Sequence, residues 1–176
     1  MIQYCTNCVL PSCKPVTAKE AKKTSASAAS TINFKDGVCE ACRWNVIKEN
    51  SIDWGKREIE LKKLLDRFRS SDGSYDVIVP ASGGKDSVYV SHILKHKYGM
   101  TPLTVTWAPS LWTEQGRRNQ ENLVKSGFDN ILISPNGEIH RLLTKLAFTK
   151  LGHPFQPFIF GQRSVGPKMA LKHNVR

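Results

Sequence analysis

Tyr75-Asp-Val-Ile-Val-Pro-Ala-Ser-Gly-Gly-Lys-Asp-Ser-Val-Tyr-Val-Ser-His-Ile-Leu-Lys95 is the stretch on which the reading of this chain turns. Residues 75–79 form a short β-branched apolar run, the mark of a buried strand. From Ser87 to Lys97, apolar residues at Val88, Val90, Ile93 and Leu94 have a spacing that suits a helix. Between the two lies Ser82-Gly83-Gly84-Lys85-Asp86-Ser87. A strand, a glycine turn and a helix in that order present free backbone N–H groups and the positive end of a helix dipole to an anion. Glycine lets the backbone approach phosphate oxygens closely because no Cβ intervenes. The stretch therefore reads as a phosphate site, with a plain Gly-Gly turn as the competing reading.

Neither of two common phosphate loops fits. The Walker A pattern needs Gly-Lys-[Ser/Thr] with a second glycine upstream, whereas Lys85 is followed by Asp86 and no glycine stands at the required distance. The G-x-G-x-x-G dinucleotide fingerprint is absent as well. What stands here, Ser-Gly-Gly-Lys-Asp-Ser after a buried strand, resembles the pyrophosphate loop of the PP-loop ATP pyrophosphatases. That resemblance implies that the loop, residues Ala81, Ser82, Gly83, Gly84, Lys85, Asp86 and Ser87, grips the β- and γ-phosphates of ATP. It also implies cleavage between the α- and β-phosphates.

Downstream, residues 103–107 and 131–134 read as further strands and residues 113–126 and 139–151 as helices, with Gly127 as a stop. Leu142, Leu143, Leu146 and Phe148 are the apolar residues of the second of these helices. Strands alternating with helices imply an α/β fold, a doubly wound parallel sheet covered on both faces. Such sheets bind ligands at the carboxyl ends of their strands. Thr106 and Trp107, at the exit of the second strand, are therefore candidates to contact adenine or ribose; a core aromatic is the equal alternative for Trp107. Near the C-terminus, Pro167 suits the first turn of a helix. Gln162, Arg163 and Ser164 would then precede a helix N-terminus, as a substrate site or simply as its cap.

Before the loop, residues 59, 61, 64, 65 and 68 (Ile, Leu, Leu, Leu, Phe) lie at helical spacing and read as core. Residues 43–50 read as a bridge into that helix. The chain opens with Cys5-x-x-Cys8, followed by Cys39-x-x-Cys42. In a reducing compartment these thiols stay reduced. Two C-x-x-C pairs give a closed tetrahedral set for structural Zn²⁺, with an iron–sulfur site or scattered buried cysteines as alternatives. Cys13 stands outside the set. Asp36-Gly37 marks a turn just before the second pair. Residues 14–31, rich in Lys, Ala, Ser and Thr, read as a flexible insert. The domains expected are thus 1–50, a zinc-knuckle module, and 51–176, a nucleotide-binding domain.

With 40% hydrophobic and 23% charged residues, the 176-residue chain can build an ordinary core. It contains no apolar run long enough to span a membrane, and its first residues do not read as a secretory signal. A cytoplasmic location is expected. The net charge of +11 invites a nucleic-acid reading, but the mixed-sign pattern at 56–69 is that of a solvated face, which argues against one.

Taken together, Cys5-Thr-x-Cys8-Val-x-Pro11, Asp36-Gly-Val-Cys39-x-x-Cys42-Arg43, the Ser-Gly-Gly-Lys-Asp-Ser loop and Gly161-Gln162-Arg163 resemble the N-acetyl sugar amidotransferases. These are PP-loop enzymes of lipopolysaccharide and flagellin-glycan biosynthesis. The resemblance implies a nucleotide-linked acetamido sugar substrate, whose acetamido group becomes acetamidino at the expense of ATP. Lys85 and Asp86 would be catalytic, Lys85 by neutralising the leaving pyrophosphate and Asp86 by positioning Mg²⁺ or fixing the loop. Every cysteine lies at or before position 42, so no glutaminase nucleophile follows the loop. Ammonia would come from solution or from a separate glutaminase subunit. The resemblance also implies a longer chain, in which a fourth parallel strand pairs beside the phosphate-loop strand. Either the C-terminal half is then supplied by another chain or the chain is a remnant that binds ATP poorly, and the 176 residues alone are expected to show no turnover. A tRNA-thiolating PP-loop enzyme and a non-catalytic zinc- and ATP-binding subunit are the rival readings.

Overall fold

The computed structural model describes residues 2–15 and 29–175. The chain divides into two units, Met1–Arg57 and Glu58–Arg176. In the first, β1 (Cys13–Pro15) pairs antiparallel with β2 (Ala29–Thr31). These strands are the two ends of the expected insert, and residues 16–28 lie outside the described residues. β3 (Phe34–Lys35) and β4 (Val38–Cys39) form a hairpin across Asp36 and Gly37. Both turn residues have positive φ, 54° and 77°, as a type I′ turn requires and as the Asp-Gly pair predicts.

Residues 43–50, expected as a bridge, belong to helix α1 (Glu40–Asn50). No apolar stripe announces this helix and none of its residues is buried. It starts because the Cys39 sulfur accepts from the Cys42 N–H at 3.4 Å, a cap outside the usual Ser/Thr/Asp/Asn set. Helix α2 (Trp54–Arg67) follows, crossing the boundary between the units. Its apolar residues are not the core that their spacing predicts. Ile59 and Leu64 are more than half exposed, and Leu65 and Phe68 are only half-buried. Spacing shows that a helix has an apolar face, not that anything covers it.

The second unit is α/β. A parallel sheet runs in the order β5 (Val77–Pro80), β6 (Pro102–Trp107), β7 (Asp129–Ile133). The expected strand–turn–helix unit is present: β5 leads into α3 (Lys85–His92), which runs on through a π turn at Ile93–Lys97. Between β6 and β7 lies α4 (Glu114–Lys125), capped by the Thr113 hydroxyl, which accepts from the Gly116 N–H at 3.0 Å. It stops at Gly127, whose φ is 83°. Helix α5 (Gly137–Leu151) and helix α6 (Gln156–Lys172) complete the unit.

Successive residues of β6 point to opposite faces of the sheet, and two clusters follow from this. Leu103 and Val105 pack with Val165 and Met169 of α6, flanked by Ile78, Trp107 and Ile131. Ala81, Leu123 of α4 and Phe128 form the second cluster, with Val88 of α3. Thr104 and Thr106, both buried, give their hydroxyls to a polar network with Gln120 and Asn130 at 2.9–3.3 Å. Among the described residues β5 is an edge strand, paired with β6 alone, and Pro80 within it is tolerated for that reason.

The apolar face of α5 is uncovered, and the expected start of α6 changes. Leu142, Leu143, Leu146 and Phe148 of α5 are all exposed, by 45–61%. In α6, Pro157 rather than Pro167 stands in the first turn, and Pro167 lies inside the helix. Either proline suits a helix start, so the sequence does not choose between them. Gln162, Arg163 and Ser164 are therefore mid-helix, where their N–H groups cannot form an anion site.

Gly161 and Gly166 let α6 approach the sheet. A Cβ at 161 would stand 2.2 Å from Trp107 Cε2, and one at 166 would stand 3.2 Å from Pro80 Cγ. Gly161→Ala should destabilise the unit by about 1–3 kcal/mol, read as a lowered midpoint in denaturant unfolding. In combination with Trp107→Leu the cost of the alanine should largely vanish. Equal costs in both backgrounds would show that the indole does not set this approach.

Candidate functional site

Cys5, Cys8, Cys39 and Cys42 converge, with all four sulfurs within 4.8 Å of one another. Two knuckles bring them there. The first is the turn at residues 6–8, closed by the Val9 N–H to Cys5 O bond at 3.0 Å; Val9 sits at a φ of 55° that β-branched residues rarely adopt. The second is the β3–β4 hairpin leading into α1. Cys5 to Cys42 is 3.9 Å and Cys8 to Cys39 is 3.6 Å. At a Zn–S distance of ~2.3 Å, tetrahedral sulfurs stand ~3.8 Å apart, so the set has the size of a zinc site. Backbone N–H groups of Asn7 and Cys39 point at Cys5 Sγ, at 3.4 and 3.3 Å.

Electrostatics agree with a shared cation. The N–H of Cys39 pulls the Cys5 thiol down to about 6. The neighbouring sulfur of Cys8 pushes Cys42 up to about 12. One thiolate forms readily, and the next is opposed by the sulfurs already present. A metal ion removes that opposition. Among the described residues of 1–57 only Cys5 and Cys39 are buried, while Tyr4, Val9, Trp44 and Val46 are more than half exposed. Four ligands leave no open position, so the ion would hold structure and not do chemistry.

In the second unit the loop lies at the carboxyl end of β5. Gly83 has a φ of 74°, and a Cβ there would meet the backbone of Asn119 and Gln120 at 2.7–2.9 Å. Glycine is therefore required on two independent grounds. Gly84 is the N-cap of α3 and offers no side chain to the first-turn N–H groups. Ala81 is buried against Leu123 and Phe128. Lys85 and Asp86 point outward, nearly 90% exposed, and pair with each other at 2.7 Å. The Ser87 hydroxyl donates to Gly84 O at 3.0 Å, so its proton is used inside the loop.

Ser82, Thr106, Trp107 and Gln162 line one cavity of about 210 Å³, with Trp112 and Phe158 among the other walls. A smaller space of about 90 Å³ beside it is bounded again by Ser82, Trp107 and Gln162. The Thr106 hydroxyl is committed to Gln120 and Asn130. Arg163, one residue from Gln162, faces away toward α5 and lines a different groove. Sequence reasoning missed Gln120, whose backbone abuts Gly83 and whose side chain is buried; a glutamine on a helix carries no signal of burial.

No family model matches the chain. A stretch of 88 residues is 28% identical to the uncharacterized protein MJ1599 of Methanocaldococcus jannaschii, covering 50% of this chain and 31% of that protein. The match thus spans less than a third of the archaeal protein. No helix of the described residues is long and apolar enough to cross a membrane.

The purified chain should carry about one zinc per molecule, lost in Cys5→Ser and in Cys39→Ser but kept in Cys13→Ser. Metal analysis of the three variants checks it, and equal loss in Cys13→Ser would reassign the ligand set.

Proposed function

We propose that the Ser82–Ser87 loop holds the phosphates of ATP and that the chain works as an N-acetyl sugar amidotransferase of the PP-loop kind, with the sheet belonging to that doubly wound fold. One observation supports the nucleotide reading best. Ser82, Trp107 and Gln162, picked out in three separate stretches of sequence, line the same cavity at the carboxyl ends of β5 and β6. That is where parallel sheets bind ligands. The amidotransferase reading rests on the sequence resemblance.

In this reading Gly83, Gly84 and the first-turn N–H groups of α3 hold the β- and γ-phosphates. Lys85 balances the charge that gathers on the leaving pyrophosphate. Mg²⁺, which commonly accompanies ATP, would find a carboxylate at Asp86. Trp107 supplies an apolar wall for the base. Gln162 offers both a donor and an acceptor to the acceptor substrate. The amide oxygen of the sugar attacks the α-phosphorus, the bond to pyrophosphate breaks, and a proton leaves the amide nitrogen. The adenylylated imidate carbon is then attacked by ammonia, delivered by a separate glutaminase, and AMP departs. Activation is needed because a neutral amide carbon is a poor electrophile. Completion by a further C-terminal half belongs to the same proposal.

ATP should bind the chain and quench tryptophan emission, with affinity falling at least about tenfold in Gly83→Ala, since the added Cβ displaces the loop. Pyrophosphate release, assayed with ammonium, a panel of nucleotide-linked acetamido sugars and, in parallel, unmodified tRNA, separates the classes. Stimulation by a sugar, once the completing half is supplied, is the expected result. Stimulation by tRNA alone would overturn the amidotransferase reading, and absence of ATP binding would overturn the nucleotide site itself.

A further inference from the structure

A groove of about 990 Å³ runs between α5 and α6, and the nucleotide reading gives it no role. Ile139, Leu143 and Leu146 form one wall, Phe160 stands on the other, and Trp107 also lines it. The groove's polar groups lean one way. Lys150 and Arg163 are part of the lining, and no carboxylate is, among the described residues. Trp107 Nε1 and His140 Nε2 are buried without a hydrogen-bond partner. The first is a donor only, and the second is a donor when it carries the proton. An occupant is therefore expected to bring apolar surface and acceptors together.

Apolar exposure continues beyond the groove. Leu142, Phe148 and Phe155 are each more than half exposed. From Ile139 to Leu151 the strip runs ~18 Å along the α5 axis, longer than a compact small molecule needs. Exposed apolar patches of this extent mark protein interfaces. An extended segment laid here would leave its own N–H and C=O groups against apolar walls. A helix, which satisfies those groups internally, would not.

We propose that this groove docks an acidic amphipathic helix of a partner polypeptide. Its apolar face lies on Leu143, Leu146 and Phe160, and its carboxylates face Lys150 and Arg163. Charge argues against a second copy as the occupant. The amphipathic helix α2 carries Lys56, Arg57, Lys62, Lys63 and Arg67 against Glu58, Glu60 and Asp66, and the whole chain is +11. Self-docking would bring cations onto cations. The proposal stands independently of ATP binding at the loop.

The test uses the full chain and fluorescein-labelled helical peptides of about 18 residues, with leucines at i, i+3, i+4 and i+7 and glutamates elsewhere. Peptides with the same leucines and lysines in place of glutamate, and a scrambled glutamate peptide, are the controls. Fluorescence anisotropy should show saturable binding of the acidic helix, at least about tenfold weaker for both controls. Leu146→Asp and Arg163→Glu should each weaken it by a similar factor; thermal unfolding identifies any variant that has lost its fold. Equal binding of the three peptides, or no saturable binding, would overturn the proposal. So would a dimer in sedimentation that Leu146→Asp dissolves, which would give the groove to a second copy.

Discussion

The indole of Trp107 fits where it does only because α6 has no side chain at Gly161. A Cβ there would overlap the ring at 2.2 Å, so the distance between helix and sheet is set by one absent methyl group. Much follows from that approach. It brings Val165 and Met169 onto Leu103 and Val105, and it lays Gln162 beside Ser82. It also places Trp107 on the walls of the two cavities near the loop and of the α5–α6 groove. Stability and site geometry therefore share a residue pair. The indole N–H has no partner, and a buried unsatisfied donor costs roughly 1–3 kcal/mol.

The first unit is built on the opposite principle. Among the described residues of 1–57 there is next to no apolar interior, and the side chains driven out of water are those of Cys5 and Cys39. A unit this small cannot offset its chain entropy by area alone. The four converging sulfurs, which could hold a metal ion, stand where a core would, on two knuckles with Val9 and Asp36 held at positive φ. Here the candidate ligands are themselves the buried residues, whereas in the second unit the candidate site lies on a packed sheet.

Much of this was legible in the residues. The strand, turn and helix around Ser82–Ser87 could be read because local propensity, apolar pattern and glycine placement all point the same way. The Cys pairs and Asp36-Gly37 were legible because their chemistry is rigid. Other features were not. Helix α1 is begun by a cysteine sulfur, a cap that no propensity scale records. Pro157 and Pro167 are equivalent to a reader of sequence, and only packing makes one the start of α6. In α2 the periodicity correctly gave a helix, yet it led to a core that is not there, because a stripe of leucines reports its own hydrophobicity and not its cover.

The deepest omission concerns how the loop is held. Helix α4 has Leu123 and Val124 as its only clear apolar residues, and Val124 is half exposed. The helix is instead fastened by Gln120, whose amide bonds to Thr106 and to Asn130, while Asn130 reaches Thr104 and Thr106. In that low-dielectric setting a satisfied network specifies position more sharply than apolar contact, since each bond has a direction. It fixes the Asn119–Gln120 backbone, and that backbone is what closes on Gly83. The Ser82–Ser87 loop is thus positioned from behind by threonine, asparagine and glutamine. Hydrophobic patterning assigns these residues to the surface, so the support of the site had no signature in the pattern that revealed the site itself.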